Sequence, residues 1–149
     1  MSGAESVRIE LAGLPVGKGR PRFVRATGHA FTPAKTRNYE SDLRYAAQEA
    51  MAGRPPIAEA VSVSVLACFP IPQSWSKKKQ LSALNGGIHP TNRPDCDNLL
   101  KVLDALNQIV FVDDKQIVSA SIRKEYSDRP RLEMTVSPLT LPFMVGAAA

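Results

Sequence analysis

The sequence predicts an α+β domain built on a mixed β-sheet with two to three helices, and three observations carry this prediction. The 149 residues are enough for one compact domain with a modest core. Strand-like and helix-like segments interleave, but without the strict alternation of a doubly wound fold. The 12 prolines and 9 glycines are spread along the chain and separate these segments. We therefore predict a single domain at residues 1–137 and a C-terminal tail at residues 138–149.

The first half of the chain predicts a strand, a hairpin, a long helix and a second strand. Residues 7–11 alternate between apolar and polar side chains, and residues 22–25 and 29–32 flank a Thr-Gly turn signal typical of a hairpin. Residues 34–52 carry apolar side chains at helical spacing. Residues 59–69 alternate valine with small polar side chains, as a half-buried strand does.

The second half predicts two helices followed by two strands. Residues 77–84 form a short basic helix that begins after a serine cap. Trp75, just before it, is expected to pack against the domain rather than to stack on a base. A second helix runs from residue 95 or 97 to residue 108. Residues 116–126 and 131–137 are strands separated by a turn.

The helix predicted over residues 95–108 has two chemically different faces. At about 100° per residue, one broad apolar face would enter the core: Leu99, Val102, Leu103, Leu106, Ile109 and Val110. The opposite face carries Asp97, Lys101, Asp104 and Gln108. Short aspartate and amide side chains around one lysine suit a metal–phosphate site better than a solubility face, which would mix more lysine and glutamate.

The charge and cysteine content narrow the class of protein. A net charge of +5 favours a polyanionic partner, with nucleic acid the first candidate. The longest apolar stretch, residues 61–71, falls short of the roughly 18 residues that a membrane span needs. Residues 1–10 lack the pattern of a signal peptide, so we expect a cytoplasmic protein whose Cys68 and Cys96 are reduced thiols. Two cysteines and two histidines without ligand spacing do not predict a zinc site.

Basic and acidic residues are segregated along the chain. Residues 17–37 and 71–94 contain lysine and arginine but no acid. Residues 95–114 then contain five aspartates: Asp95, Asp97, Asp104, Asp113 and Asp114. Clustered carboxylates repel one another unless a cation lies among them. A hard, oxygen-lined site suits magnesium, with manganese as an alternative.

Basic flanks and an acidic centre together predict a metal-dependent nuclease. Lysine and arginine neutralise a phosphate backbone by releasing counterions, and metal ions held by aspartates activate water and stabilise charge on the scissile phosphate. The aspartates also suit ordinary structural roles. Asp95 suits a helix N-cap, and Asp97 an i,i+4 pair with Lys101, while Asp113-Asp114 suits the end of a strand. Spacing alone does not decide between these roles and a metal site.

Two segments, RPDCDNLLKVLDALN and VFVDDKQIV, resemble the signature of the RusA family of Holliday-junction resolvases, which is common in bacteria and their prophages. The segments GKGRPRF, FTPAKTRNYE and IPQSWSKKKQLSAL are similar to the phage-type branch of that family. The resemblance covers residues 7–136. It implies a magnesium-dependent homodimeric endonuclease that binds four-way DNA junctions and nicks two opposed strands symmetrically.

The resemblance also implies roles for individual residues. Asp95 and Asp97 match the two aspartates of the first motif, and Asp114 matches the carboxylate of the second, so all three are expected metal ligands. Lys101 matches the essential lysine of the family. Two neighbouring carboxylates are secondary candidates: Asp104 and Asp113.

Two groups of basic residues are expected to contact DNA. The first is an arm expected to grip junction phosphates, with a merely solubilising surface as the alternative; it consists of Lys18, Arg20, Arg22 and Arg25. The second group is Lys77, Lys78 and Arg93. Two other function classes stay open here: a less selective nuclease for flaps or other branched DNA, and a non-catalytic protein that binds DNA junctions.

Overall fold

The computed structural model describes the chain at residues 5–18 and 34–139, together with the backbone of residues 22–24 and 29–31. These residues form an α+β fold with a mixed sheet and three α-helices, as the sequence predicts. In chain order the elements are β1 (Val7–Ala12), β2 (Arg22–Val24), β3 (His29–Phe31), α1 (Ala34–Met51), β4 (Val61–Pro70), α2 (Lys77–Leu84), α3 (Cys96–Leu100), β5 (Ile117–Ser127) and β6 (Arg131–Pro138). Two 3-10 helices, Lys101–Leu106 and Asp114–Gln116, lie between α3 and β5.

One four-stranded sheet carries the core, in the order β1-β6-β4-β5. β4 pairs with β5 in parallel and with β6 antiparallel, and β6 pairs antiparallel with β1. Only residues 128–130 separate β5 from β6, yet these strands are not neighbours. β4 lies between them, so the connection crosses the C-terminal end of β4. β2 and β3 pair antiparallel, which confirms the predicted hairpin.

The inner face of the sheet is apolar because alternate residues of each strand point to the same side. On β4, Val61, Val63 and Val65 are buried in this way. α1 contributes Leu43 and Ala47 to the same core, which confirms the helical spacing seen in the sequence. Among the helices of the described ranges, none is long and apolar enough to cross a bilayer.

The α-helix predicted over residues 95–108 is shorter in the structure. α3 ends at Leu100, and the chain continues as the 3-10 helix Lys101–Leu106. Four of those residues are buried, which leaves Lys101 and Asp104 accessible at a spacing of three, the period of a 3-10 helix. Gln108, predicted on the same polar face, lies beyond the helix at a positive φ of 69°. The predicted core face is otherwise confirmed, with Ile109 only partly buried.

The outer face of the sheet carries a network of charged side chains. Arg8 on β1 and Arg131 on β6 both pair with Glu133. The hydrogen bond from Arg131 holds the pKa of Glu133 below its usual value; partial burial opposes this shift, and Arg8 adds to it. The Glu133 anion is therefore favoured more strongly in the folded chain than in the unfolded one.

We predict that Glu133 makes the fold sensitive to acid. Because its pKa falls on folding, its contribution to stability is present above the unfolded value of 4.5 and is lost as the pH falls through the lower, folded value. Glu133→Gln should therefore flatten the fall of the unfolding free energy below about pH 4.5, measured by urea denaturation over a pH series. Parallel pH profiles for the two proteins would contradict this assignment.

Candidate active site

Asp95 begins α3 and caps it. Its backbone is extended, and its Oδ1 accepts a hydrogen bond from the Asn98 amide at 3.0 Å. The bond satisfies one of the free N–H groups at the helix start, so the structural role that the sequence allows for Asp95 is present. The cap occupies one carboxylate oxygen, and the side chain is exposed. Capping therefore does not by itself prevent Asp95 from binding a ligand.

Asp97 and Lys101 form the predicted i,i+4 pair on the exposed side of α3. Lys101 Nζ lies 3.2 Å from Asp97 Oδ2 and 3.4 Å from Asn98 Oδ1. The Asp97 and Lys101 side chains are 75% and 53% exposed. Exposed helix pairs of this kind contribute about 0.3–0.5 kcal/mol, so exchanging either partner for a ligand costs little. The pair is accessible both to a cation and to a phosphate.

Lys124 of β5 fixes the loop that leads into α3. Its Nζ donates to the carbonyl oxygens of Asn92 at 2.6 Å and Pro94 at 2.8 Å. Hydrogen bonds from a charged donor contribute about 1.5–3 kcal/mol each. Because the first carboxylate of the site follows directly in the chain, these hydrogen bonds position it. Sequence reasoning missed Lys124. The available signal was its position on the same face of the strand as Ile122 and Tyr126, both of which pack on the core.

The N-terminal segment lies directly on the same helix. The Lys18 amide donates to Asn98 O at 2.9 Å. A Cβ at Gly17 would lie 2.7 Å from the Pro94 Cβ and 3.1 Å from the Asn98 Cβ, so glycine is required at this close approach. Gly17 thus allows the beginning of the basic arm to contact α3.

Asp113 caps the 3-10 helix Asp114–Gln116 through a reciprocal pair of hydrogen bonds. Its Oδ1 accepts from the Lys115 amide at 2.9 Å, and Gln116 Oε1 accepts from the Asp113 amide at 2.8 Å. The bond from the Lys115 amide, together with one to Asp114, lowers the pKa of Asp113. The two aspartates therefore begin a 3-10 helix ahead of β5. The alternative that they end a strand is wrong, since residues 109–112 form no strand.

Asp114 shares its surroundings with two other carboxylates. Partial burial and a hydrogen bond with Asp113 raise its pKa, and the charges of Asp113 and Asp104 raise it further. We call Asp104, Asp113 and Asp114 the acidic cluster. Like charges held this close oppose one another's ionisation unless a cation compensates them. A cation close to the acidic cluster would therefore favour the ionised form of these carboxylates.

Lys18 places its ammonium between two carboxylates. Its Nζ lies 2.6 Å from Asp104 Oδ2 and 3.2 Å from Glu40 Oε2. Burial opposes the charged form, but the hydrogen bond to Asp104 and the charges of both carboxylates raise the pKa of Lys18 above its usual value. The contact with Glu40 is an ion pair, because Glu40 Oε2 accepts no hydrogen bond within the described residues. The sequence predicts that Lys18 belongs to the DNA-contacting arm. In the structure its ammonium is paired with these two carboxylates.

Glu40 is a functional candidate that sequence reasoning missed. Its side chain is almost buried, at 9% exposure. It lies on the buried side of α1 with Thr36, Leu43 and Ala47, at the spacing of the apolar stripe of that helix. A glutamate within such a stripe is a usable signal, because a buried carboxylate needs a cationic partner.

The candidate carboxylates match the chemistry of a magnesium site, although they form no closed cage. In the part of the chain that the structure describes, no three histidine, cysteine, aspartate or glutamate side chains are arranged to hold a metal ion. Asp95 and Asp97 lie at the start of α3, and Asp114 lies in the acidic cluster. Magnesium commonly takes only one or two carboxylates and completes its shell with waters and substrate phosphates. The donor set therefore fits magnesium in an open site.

The basic residues predicted to contact DNA differ in how far the structure describes them. Lys77 and Lys78 are exposed on the first turn of α2, and Arg93 is exposed in the loop before α3. These three cations are accessible to a polyanion. Of the remaining members of the arm, Arg20 and Arg25 lie outside the described residues. For Arg22, the first residue of β2, the structure describes the backbone but not the side chain.

Trp75 packs against the fold, as predicted. Its ring meets Tyr126 edge-on with the centroids 5.4 Å apart, and the Lys79 ammonium lies 4.1 Å from its centroid. The Ser76 hydroxyl accepts from the Lys79 amide at 3.2 Å, which confirms the predicted serine cap. These contacts fix the beginning of α2, and with it the exposed lysines of its first turn.

Two substitutions separate the capping role of Asp95 from its predicted role as a metal ligand. Asparagine caps helices as well as aspartate, so Asp95→Asn should change the unfolding free energy by less than about 0.5 kcal/mol, whereas Asp95→Ala should lower it by about 0.5–2 kcal/mol. Urea denaturation without metal measures both values. If Asp95 also binds magnesium, both variants should lose the same part of any stabilisation by Mg²⁺. Equal destabilisation of the two variants without metal would contradict the cap.

Known proteins resemble this chain over most of its length. A profile of the endodeoxyribonuclease RusA family matches residues 12–137, a range that includes every candidate carboxylate and Lys101. A protein of Bacillus subtilis (strain 168), described as uncharacterized protein YqaN, is 37% identical over 139 residues, which is 89% of this chain and 96% of that protein. On these similarities, the chain belongs to the RusA endodeoxyribonuclease family.

Proposed function

We propose that this protein is a magnesium-dependent endonuclease that resolves four-way DNA junctions by paired, symmetric nicks in recombination and repair. The observation that carries the proposal is the exposed Asp97–Lys101 pair beside the Asp95 cap, which brings accessible anions and a cation to one helix start. Family membership supports the class of reaction, hydrolysis of DNA phosphodiesters. A cytoplasmic location is part of the proposal, because the DNA substrate lies there.

Asp95, Asp97 and Asp114 would hold the magnesium ion, with manganese as the alternative. When bound, the metal supplies a Lewis acid for the phosphate and lowers the pKa of water. Support comes from the acidic cluster: burial and two neighbouring carboxylates raise the pKa of Asp114, and a cation would relieve the repulsion.

Lys101 has a separate role in the proposal, at the phosphate. Its exposed ammonium would exchange Asp97 for a phosphate oxygen and stabilise the negative charge that develops there in the transition state. Asp97 would keep the ammonium oriented until DNA binds. The small free energy of an exposed ion pair favours this exchange.

Paired nicks require two copies of the site. A homodimer with a two-fold axis would present equivalent sites to the two opposed strands of a junction. Lysines and arginines around each site would neutralise backbone phosphates and release their counterions. The residues proposed for this role are Arg20, Arg22, Arg25, Lys77, Lys78 and Arg93.

Replacing Asp97 tests the catalytic assignment. Asp97→Asn should slow junction cleavage by about a hundredfold or more, the scale expected when one group that stabilises charge in the transition state is removed. Junction affinity without metal should be retained, because the change removes a negative charge from the DNA-facing side. Single-turnover cleavage and fluorescence anisotropy measure the two quantities.

The matched control for that test is Asp42→Asn, which removes an exposed aspartate from α1 and should cleave at the wild-type rate. Cleavage by Asp97→Asn at the wild-type rate would contradict the assignment. Equal reductions in the two variants would also contradict it, because they would reflect a general effect of charge.

The lysines of α2 are predicted to contribute to DNA affinity through phosphates. The double variant Lys77→Ala/Lys78→Ala should reduce the slope of log affinity against log salt by about one for each phosphate that is no longer neutralised, measured by anisotropy with a four-way junction. Arg54→Ala serves as the control, because its guanidinium donates to the carbonyl oxygen of Met51, the last residue of α1. An unchanged slope in the lysine variant would favour the merely solubilising surface.

Two other functions share much of this site. A less selective nuclease for flaps or other branched DNA would use the same residues, so cleavage rates on a junction, a flap and a linear duplex distinguish it. A non-catalytic junction-binding protein is favoured by one observation, the capping roles of Asp95 and Asp113. Tight junction binding without cleavage in magnesium or manganese would identify that function.

A further inference from the structure

We propose that Lys18 is a positioning residue for the acidic cluster and does not bind a DNA phosphate. Its ammonium bridges Glu40 of α1 and Asp104 of the 3-10 helix Lys101–Leu106, at 3.2 and 2.6 Å. Through this bridge it holds Asp104 in a 3-10 helix that packs against the 3-10 helix Asp114–Gln116. The inference rests on the proposed function in one respect: cleavage is one of its readouts.

Burial commits the Lys18 charge to the protein. The Glu40 side chain is 9% exposed, and within the described residues Lys18 is the cation paired with it. A buried carboxylate without a partner is strongly unfavourable. Moving the ammonium to a DNA phosphate would leave Glu40 uncompensated, so the bridge opposes the role that the sequence assigns to Lys18.

The main chain fixes Lys18 from the other side. Its amide donates to Asn98 O of α3 at 2.9 Å, and the preceding Gly17 lies too close to Pro94 and Asn98 for any other residue. Lys18 therefore joins three elements: α3 through its backbone, and α1 and the 3-10 helix through its ammonium. These elements carry the candidate carboxylates or border on them.

The bridge has a direct consequence for the charge of the acidic cluster. The 3-10 helix that carries Asp104 packs against the 3-10 helix Asp114–Gln116, and Lys18 offsets the Asp104 charge through its hydrogen bond to Oδ2. Without the bridge, repulsion from Asp113 and Asp114 would drive Asp104 away from its present orientation. Positioning of this kind affects catalysis, since displacements of about 1 Å change rates by large factors.

Five variants test the proposal: Lys18→Met, Lys18→Arg, Glu40→Gln, the double variant Lys18→Met/Glu40→Gln, and Lys35→Met. The last removes an equal charge from the exposed first turn of α1 and reports the effect of charge alone. Lys18→Met should lower the melting temperature because it leaves Glu40 buried and unpaired. Glu40→Gln added to it should restore the melting temperature, since no buried charge then remains.

The decisive readouts concern the double variant, which is expected to fold. Relative to Lys35→Met, its single-turnover cleavage of a four-way junction at saturating protein should be slower by about tenfold or more. The slope of log junction affinity against log salt should match wild type. Lys18→Arg, which keeps a cation between the carboxylates, should recover part of the cleavage rate.

Two results would overturn the proposal when the wild type cleaves the junction. Wild-type cleavage by the double variant would mean that Lys18 serves stability alone. A salt slope reduced by about one, with normal cleavage at saturating protein, would mean that Lys18 binds a phosphate. If the wild type itself does not cleave, the proposed function fails, but the melting temperatures still test the bridge. Additive effects of Lys18→Met and Glu40→Gln on the melting temperature would refute the bridge, and strong coupling between the two substitutions would support it.

Discussion

Repulsion between neighbouring carboxylates is the constraint that the candidate site has to accommodate. Asp104, Asp113 and Asp114 form a cluster in which burial and like charge raise the pKa of Asp114. Such a cluster costs stability, yet the fold fixes it by a helix cap at Asp113 and by the ammonium of Lys18. Unfavourable local arrangements of this kind are expected at functional sites, and a cation bound as proposed would remove the repulsion.

The site lies on short helices and loops, and a few charged or amide side chains attach these to a rigid sheet. Lys124 of β5 holds the loop before α3 through two carbonyl oxygens. Gln116 ties the end of the second 3-10 helix to the Ile57 and Glu59 carbonyls, each at 2.8 Å. Lys18 connects α3 with α1. This division is common in enzymes, where loops carry the reactive groups and a scaffold positions them.

The sequence predicts the sheet well because its signals are local. Valine alternation gives β4, helical spacing gives α1, and a Thr-Gly turn gives the hairpin of β2 and β3. It also predicts the Asp95 cap and the Asp97–Lys101 pair, whose partners are three and four residues apart. The 3-10 continuation of α3 was not predictable, because its apolar residues also fit an α-helical face. Lys18 and Lys124 could not be assigned in this way, because their partners are 86 positions away for Lys18 and 30 to 32 positions away for Lys124, beyond any periodic pattern. The DNA contacts of Arg20, Arg22 and Arg25 stay predictions.

The most direct test of the central claim is the cleavage of a synthetic four-way junction by the wild-type protein, followed on each of the four strands with Mg²⁺ and with a chelator. An open magnesium site served by the aspartates predicts ligatable nicks at symmetric positions in two opposed strands with Mg²⁺ or Mn²⁺, and intact strands with the chelator. Junction binding without any cleavage in either metal would contradict the account, and so would cleavage that persists in the chelator.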